Sequence, residues 1–177
     1  GIMLTPLRMT RYGRFLNVLT VSHAAIYLAL TVAALVVAPL PQYFLSNRYL
    51  FIDSLGVYEV LIASGVFLLA ALYARGYLRS LVQAREITRE NVKLFYIAFN
   101  LLLTMIVFAF FANNLALFWI LVELTTILSA LLIVTLNAKE NILAALKYVF
   151  IASSAMLFSF IGILLVFAMT REAIGAG

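Results

Sequence analysis

Seven acidic and twelve basic side chains occur in the 177 residues, and the informative ones stand inside long apolar runs. Glu123 lies near the middle of Leu115–Leu136, about 12 Å from the nearer end by helical rise. An ionisable group at such a depth costs roughly 2.5–3.5 kcal/mol on insertion scales, so it needs a reason to be there. Helical spacing puts Trp119 (i−4), Thr126 (i+3) and Ala130 (i+7) on its face. An indole N–H, a hydroxyl and a small residue beside a carboxyl make a stripe suited to another helix rather than to lipid. Burial favours a neutral carboxyl and a nearby cation favours the ionised form. A carboxyl so placed can therefore carry a proton under the control of its neighbours. The structural alternative is a carboxyl locked in a salt bridge or held protonated.

Lys147 is the natural second charge. It stands a turn or two inside the last apolar run, with Ile151, Ser154 and Phe158 along its face, and roughly 10 Å shallower than Glu123 by helical rise. A direct pair needs the lysine stem to reach inward, or a water or third group between them; snorkelling to the interface is the alternative. Asp53 and Glu59 belong to the second run. Asp53 is within one turn of its outer boundary, where an acid can simply mark the interface, whereas Glu59 is deeper and could meet a basic residue of a neighbouring helix. His23, near Thr20 and Ser22 in the first run, is either a relay or a satisfied hydrogen-bonding group.

These residues need elements to hold them, and composition dictates which. Hydrophobic side chains make up 66% of the chain and charged ones 11%, against about half and a quarter in a soluble domain. A water-soluble enzyme of this size could not hide that apolar surface. Five runs reach the roughly 20 residues an α-helix needs to cross a bilayer: Leu16–Leu40, Leu50–Tyr73, Leu94–Ala112, Leu115–Leu136 and Ile142–Met169. They are too long and too evenly apolar for strands. The sequence predicts an all-α, polytopic transmembrane bundle forming a single domain over residues 1–177, with no soluble domain. Gly1–Leu4, followed by Thr5-Pro6, reads as the tail of a preceding helix, and the whole as a portion of a larger subunit.

The connecting segments are expected to alternate in charge. Arg8, Arg11 and Arg14 precede the first run; Arg75, Arg79, Arg85, Arg89 and Lys93 fall between the second and third; Lys139 falls between the fourth and fifth. With Lys147, ten of the twelve basic residues belong to one side, leaving Arg48 and Arg171 on the other. The positive-inside rule puts the Arg8–Arg14, Arg75–Lys93 and Lys139 loops in the cytoplasm. Residues 85–90, with opposite charges at helical spacing, read as a solvated helical connector. The net charge of +5 follows this topology and does not call for a nucleic-acid partner.

Cysteine is absent and histidine occurs once, so no thiolate or multi-histidine metal site can be assembled within the chain. No phosphate-binding glycine loop or nucleophile elbow occurs. Catalysis of the soluble-enzyme kind has no support in the sequence.

Around Glu123 the wording is specific. Residues 113–132 read Asn-Asn-Leu-Ala-Leu-Phe-Trp-Ile-Leu-Val-Glu-Leu-Thr-Thr-Ile-Leu-Ser-Ala-Leu-Leu, and Ala144-Ala145-Leu146-Lys147-Tyr148 follows. This pattern resembles the antiporter-like proton-translocating subunits shared by respiratory complex I (the NADH-quinone oxidoreductase), Mrp cation/proton antiporters and group 4 membrane-bound hydrogenases. It looks closest to the F-type subunit of the hydrogenase-4/formate hydrogenlyase branch. Phe51-Ile52-Asp53-Ser54-Leu55 is similar to the segment opening that family's third helix. The likeness runs from about Leu50 to Phe167. It implies that the five runs are helices two to six of a roughly fourteen-helix subunit, that Glu123 matches the essential glutamate of the fifth helix, and that Lys147 matches the lysine of the sixth. The later helices, including the broken seventh whose lysine partners the glutamate, lie beyond this sequence, and Glu59 stands where the family has an apolar residue.

The resemblance implies an ion-translocating subunit of a redox-driven complex in a prokaryotic inner membrane. Glu123 and Lys147 would move protons, with Glu59, Asp53, His23, Thr126 and Ser154 in support. No cofactor is expected in this chain; iron–sulfur clusters, with nickel–iron in the hydrogenase case, would belong to partner membrane and peripheral subunits. A sodium or potassium/proton antiporter using the same residues, and a non-conducting scaffold whose buried Glu–Lys pair fixes helix register, are the alternatives.

Overall fold

The structure is a computed structural model that describes residues 5–37, 40–44, 49–84, 86–135 and 139–175. Five helices occupy nearly all of it: α1 (Thr5–Val37), α2 (Ser54–Gln83), α3 (Arg89–Phe110), α4 (Leu115–Val134) and α5 (Lys139–Gly175). Each contains a stretch long and apolar enough to cross a membrane, so the chain is an all-α polytopic bundle and reads as an integral membrane protein.

Consecutive helices run up and down. α1, α2 and α3 pack together, α4 lies against α3, and α5 lies against α4. The three-helix cluster is centred on Ala24, Val60, Leu103 and Val107, with Tyr27, Phe67, Leu68 and Phe111 packed around them. A second cluster, Leu78, Ile87, Val92 and Tyr96, closes the end at which α2 meets α3. That end carries most of the arginines and is called the basic end below.

Several helices extend further than apolar length alone indicates. α1 begins at Thr5, so Arg8–Arg14 is helix rather than loop. Pro6 falls in its first turn, where a missing N–H costs nothing. At 33 residues α1 is about 50 Å long, well beyond the ~30 Å hydrocarbon layer. α2 continues through Arg75 and Arg79 to Gln83, and Lys139 opens α5 rather than standing in a loop. The connection between α2 and α3 thus shrinks to residues 84–88. Its described residues 86–88 do not form the helical connector expected: Thr88, in extended conformation, accepts a hydrogen bond from the Asn91 N–H and starts α3 afresh, and Arg85 lies outside the described residues. Gly1–Leu4 lies outside the described residues.

The opposite end holds the only strands among the described residues, an unexpected feature. β1 (Gln42–Phe44) pairs antiparallel with β2 (Leu50–Ile52), Tyr43 opposite Phe51, so the second run opens as strand and becomes helix only at Ser54. The hairpin also grips the α3–α4 connection. Phe51 N–H donates to Phe111 O at 2.8 Å and Asn113 N–H to Tyr49 O at 2.8 Å. These bonds satisfy backbone groups that helix ends leave open. At the basic end Asn91 Nδ2 donates to Thr135 O at 2.9 Å, closing the last turn of α4. The two ends are therefore fastened by connections that alternate as the span count requires.

Candidate functional site

α4 and α5 build the site. Asn114 caps α4, its side chain accepting from the N–H groups of Ala116 and Leu117. From that fixed start Glu123 falls about 12 Å along the helix. Its Oε1 accepts a 2.6 Å hydrogen bond from Ser153 Oγ of α5. Its Oε2 is buried and has no hydrogen-bond partner. One turn earlier, Trp119 Nε1 donates to the backbone carbonyl of Met156 at 2.9 Å, and its ring lies 4.8 Å from that of Phe160. The Trp119–Glu123 face is thus a helix–helix contact, as the stripe on the sequence indicated.

The chemical content is a carboxyl with half its capacity engaged. Buried polar atoms are nearly always paired, and an unpaired carboxylate in a low-dielectric setting is far costlier than a neutral acid. An oxygen so placed calls for a proton of its own, a water or an approaching cation. A group that can be satisfied in all three ways can bind and release a proton as its surroundings change.

Lys147 does not complete the pair. It is exposed, and no described ion pair engages it. Ser153 stands six residues further along α5, about 9 Å deeper and about 120° around the helix, so Lys147 faces another way. The depth difference read from the sequence holds. Ser154 shares the Lys147 face, and its hydroxyl donates to Phe150 O at 2.7 Å within its own helix. Thr126 is buried and likewise bonds its own helix, to Val122 O at 3.2 Å.

The remaining charged candidates belong to the α1–α3 cluster. Asp53 caps α2, with Oδ1 accepting from the Gly56 N–H at 2.8 Å. Gly56 fits closely there: a Cβ would lie 3.0 Å from that carboxylate oxygen and 3.1 Å from Phe110 O, so a larger residue needs the cap to give by a few tenths of an ångström. Glu59 is half-buried and engaged in no described hydrogen bond or ion pair. His23 is half-buried, its Nδ1 buried and without a partner, its ring edge-on to Tyr27 at 4.9 Å.

Two features escaped the reading of the sequence. Ser153 is the first: lysine-face spacing selects Ser154, and only the packing angle of α5 brings its neighbour to Glu123. The second is a polar seam through the three-helix cluster. Asn17 Nδ2 donates to Ala71 O at 2.7 Å, and Asn100 Nδ2 donates to Thr20 Oγ1 at 2.7 Å. Asn17 and Asn100, two amides in apolar runs, were its visible signal. Among the described residues no group of three or more His, Asp or Glu side chains could hold a metal ion.

Comparison with known proteins finds a likeness to the Hydrogenase-4 component F homolog of Methylacidiphilum infernorum (isolate V4), 20% identical over 131 residues. The aligned stretch is 74% of this chain and 28% of that protein, so the chain spans little more than a quarter of its relative. No family model matches the sequence. No solved structure matches it.

Proposed function

We propose that this chain is part of an ion-translocating, antiporter-like membrane subunit of a redox-driven complex, most similar to those of membrane-bound hydrogenases and formate hydrogenlyase. The observation that carries the reading is Glu123, midway along the membrane-length helix α4, hydrogen-bonded through one oxygen and open at the other. The likeness to a hydrogenase-4 component supports it.

In the proposed mechanism no bond chemistry occurs in this chain. A cation brought toward Oε2 by a neighbouring helix favours the ionised carboxylate, and its withdrawal favours protonation. The Ser153 hydroxyl holds the carboxyl in one rotamer throughout. Electron transfer belongs to partner subunits carrying iron–sulfur clusters, with nickel–iron in the hydrogenase case, because this chain has no cysteine to ligate a cluster. The charge asymmetry supports a cytoplasmic basic end, and the likeness to a hydrogenase component supports residence in a prokaryotic inner membrane.

The test is Glu123→Gln in the intact complex, which keeps the shape and the acceptor toward Ser153 but cannot ionise. Electron transfer with assembly intact and proton translocation abolished is the expected outcome; undiminished translocation would remove Glu123 from the mechanism. The α4–α5 bonds at Ser153 and Trp119 also favour a second reading, a scaffold in which the carboxyl only fixes helix register. In that case the same variant loses assembly.

A further inference from the structure

Two side-chain bonds of different kinds join α4 to α5, one turn apart. Ser153 Oγ donates to Glu123 Oε1 at 2.6 Å. Trp119 Nε1 donates to Met156 O at 2.9 Å, and its ring lies 4.8 Å from that of Phe160. From Trp119 to Glu123 is four residues along α4, about 6 Å, and from Met156 back to Ser153 is three along α5, about 4.5 Å. The two bonds therefore describe one antiparallel alignment of the pair. That alignment carries on along both helices: eleven residues past Trp119 is Ala130, eleven before Met156 is Ala145, and both are buried.

Ser153 has a competitor in its neighbour. Ser154 would meet Glu123 if α5 turned by about 100° and slid by about 1.5 Å, and the Lys147 face would turn with it. Nothing in the bond to Glu123 prefers one serine to the other, since both offer the same hydroxyl. The indole does discriminate, because such a turn carries the Met156 carbonyl off its N–H and the Phe160 ring away from its own. The serine bond is also a poor fixed point. Hydrogen bonds to a charged group are stronger than neutral ones, so the hold of Ser153 changes as Glu123 gains or loses a proton. The Trp119 bond has a neutral donor and a backbone acceptor, and that carbonyl keeps a second lone pair for its own helix. Its strength does not follow the proton.

We propose that Trp119 is a positioning residue, which fixes the rotation of α5 so that Ser153 rather than Ser154 serves Glu123 and the Lys147 face stays turned away; this role rests on the reading of Glu123 as the ion-carrying group. The carboxyl can then change its protonation without being the group that holds the two helices together.

The test follows the infrared carboxyl bands of Glu123 in the intact protein in nanodiscs, at rest, assigned by their loss in Glu123→Gln. With Trp119 present, Ser153→Ala is expected to move these bands and Ser154→Ala to leave them in place. Trp119→Phe keeps an aromatic ring toward Phe160 and removes the N–H, and it should move the bands. Ser153→Ala added to it should then move them by less than about half as much as in the native protein, the sign that the two residues act on Glu123 together. If Trp119→Phe fails to fold, benzothienylalanine at position 119 carries the test with the same expected result, since it keeps the shape of the indole and lacks only its N–H. A Ser153→Ala effect undiminished in whichever of these variants folds, or native bands that respond to Ser154→Ala as they do to Ser153→Ala, would overturn the proposal. The bands are read without turnover, so normal proton translocation in Glu123→Gln would refute the reading of Glu123 by a separate measurement.

Discussion

Ser153→Ala isolates the hydrogen bond on which the Glu123 site is built. The 2.6 Å contact from Ser153 Oγ to Oε1 is short, as charge-assisted O–H···O bonds are. Such bonds to a charged group contribute about 1.5–3 kcal/mol, and neutral ones nearer 1. Removing the hydroxyl leaves Oε1 as well as Oε2 without a partner and should weaken the α4–α5 contact by about 1–2 kcal/mol. The assay is resistance to detergent unfolding, read beside the infrared carboxyl bands of Glu123, which are assigned by their loss in Glu123→Gln. Ser153→Ala should lower the unfolding free energy by that amount and move the Glu123 bands, and Ser153→Thr should restore both. If alanine changes neither, the hydroxyl does not hold the carboxyl and the reasoning fails.

Two further outcomes separate structural from functional polar groups. Asn17→Ala removes the buried bond to Ala71 O and should lower resistance to detergent unfolding by about 1 kcal/mol, since interhelical bonds in membranes average somewhat below that; translocation per electron should not change. Asp53→Ala should cost about 1 kcal/mol through loss of the α2 cap, while Asp53→Asn should cost little, because amide and carboxylate caps are nearly equivalent. A translocation defect in Asp53→Asn, with stability intact, would show that the carboxylate serves ion transfer beyond its capping bond.

The five spans were legible because apolar length is a strong signal and lipid leaves the backbone no other way to satisfy itself. Their ends were less so. Arg75 and Arg79 have good helix propensity and a charge that prefers water, and hydropathy reports only the charge. The structure keeps them helical because a helix can run on past the membrane. The β1–β2 hairpin could not be read from the sequence, since three-residue strands leave no periodicity and their bonds to Phe111 and Asn113 are tertiary. At the site, Glu123 and Trp119 stood out by type and spacing. Ser153 did not, because a one-residue choice between neighbouring serines is decided by the rotation of α5 against α4. Asp53 illustrates the reverse: an acid at a membrane boundary can look functional, yet its oxygen caps a helix.

The central claim is that the Glu123 carboxyl changes protonation when charge moves elsewhere in the complex. Redox-triggered infrared difference spectroscopy on the assembled complex tests it most directly. A protonated-carboxyl band that rises and falls with turnover in the native complex, and vanishes in Glu123→Gln, is the predicted result. A native spectrum with no turnover-dependent band lost on that substitution would contradict the account.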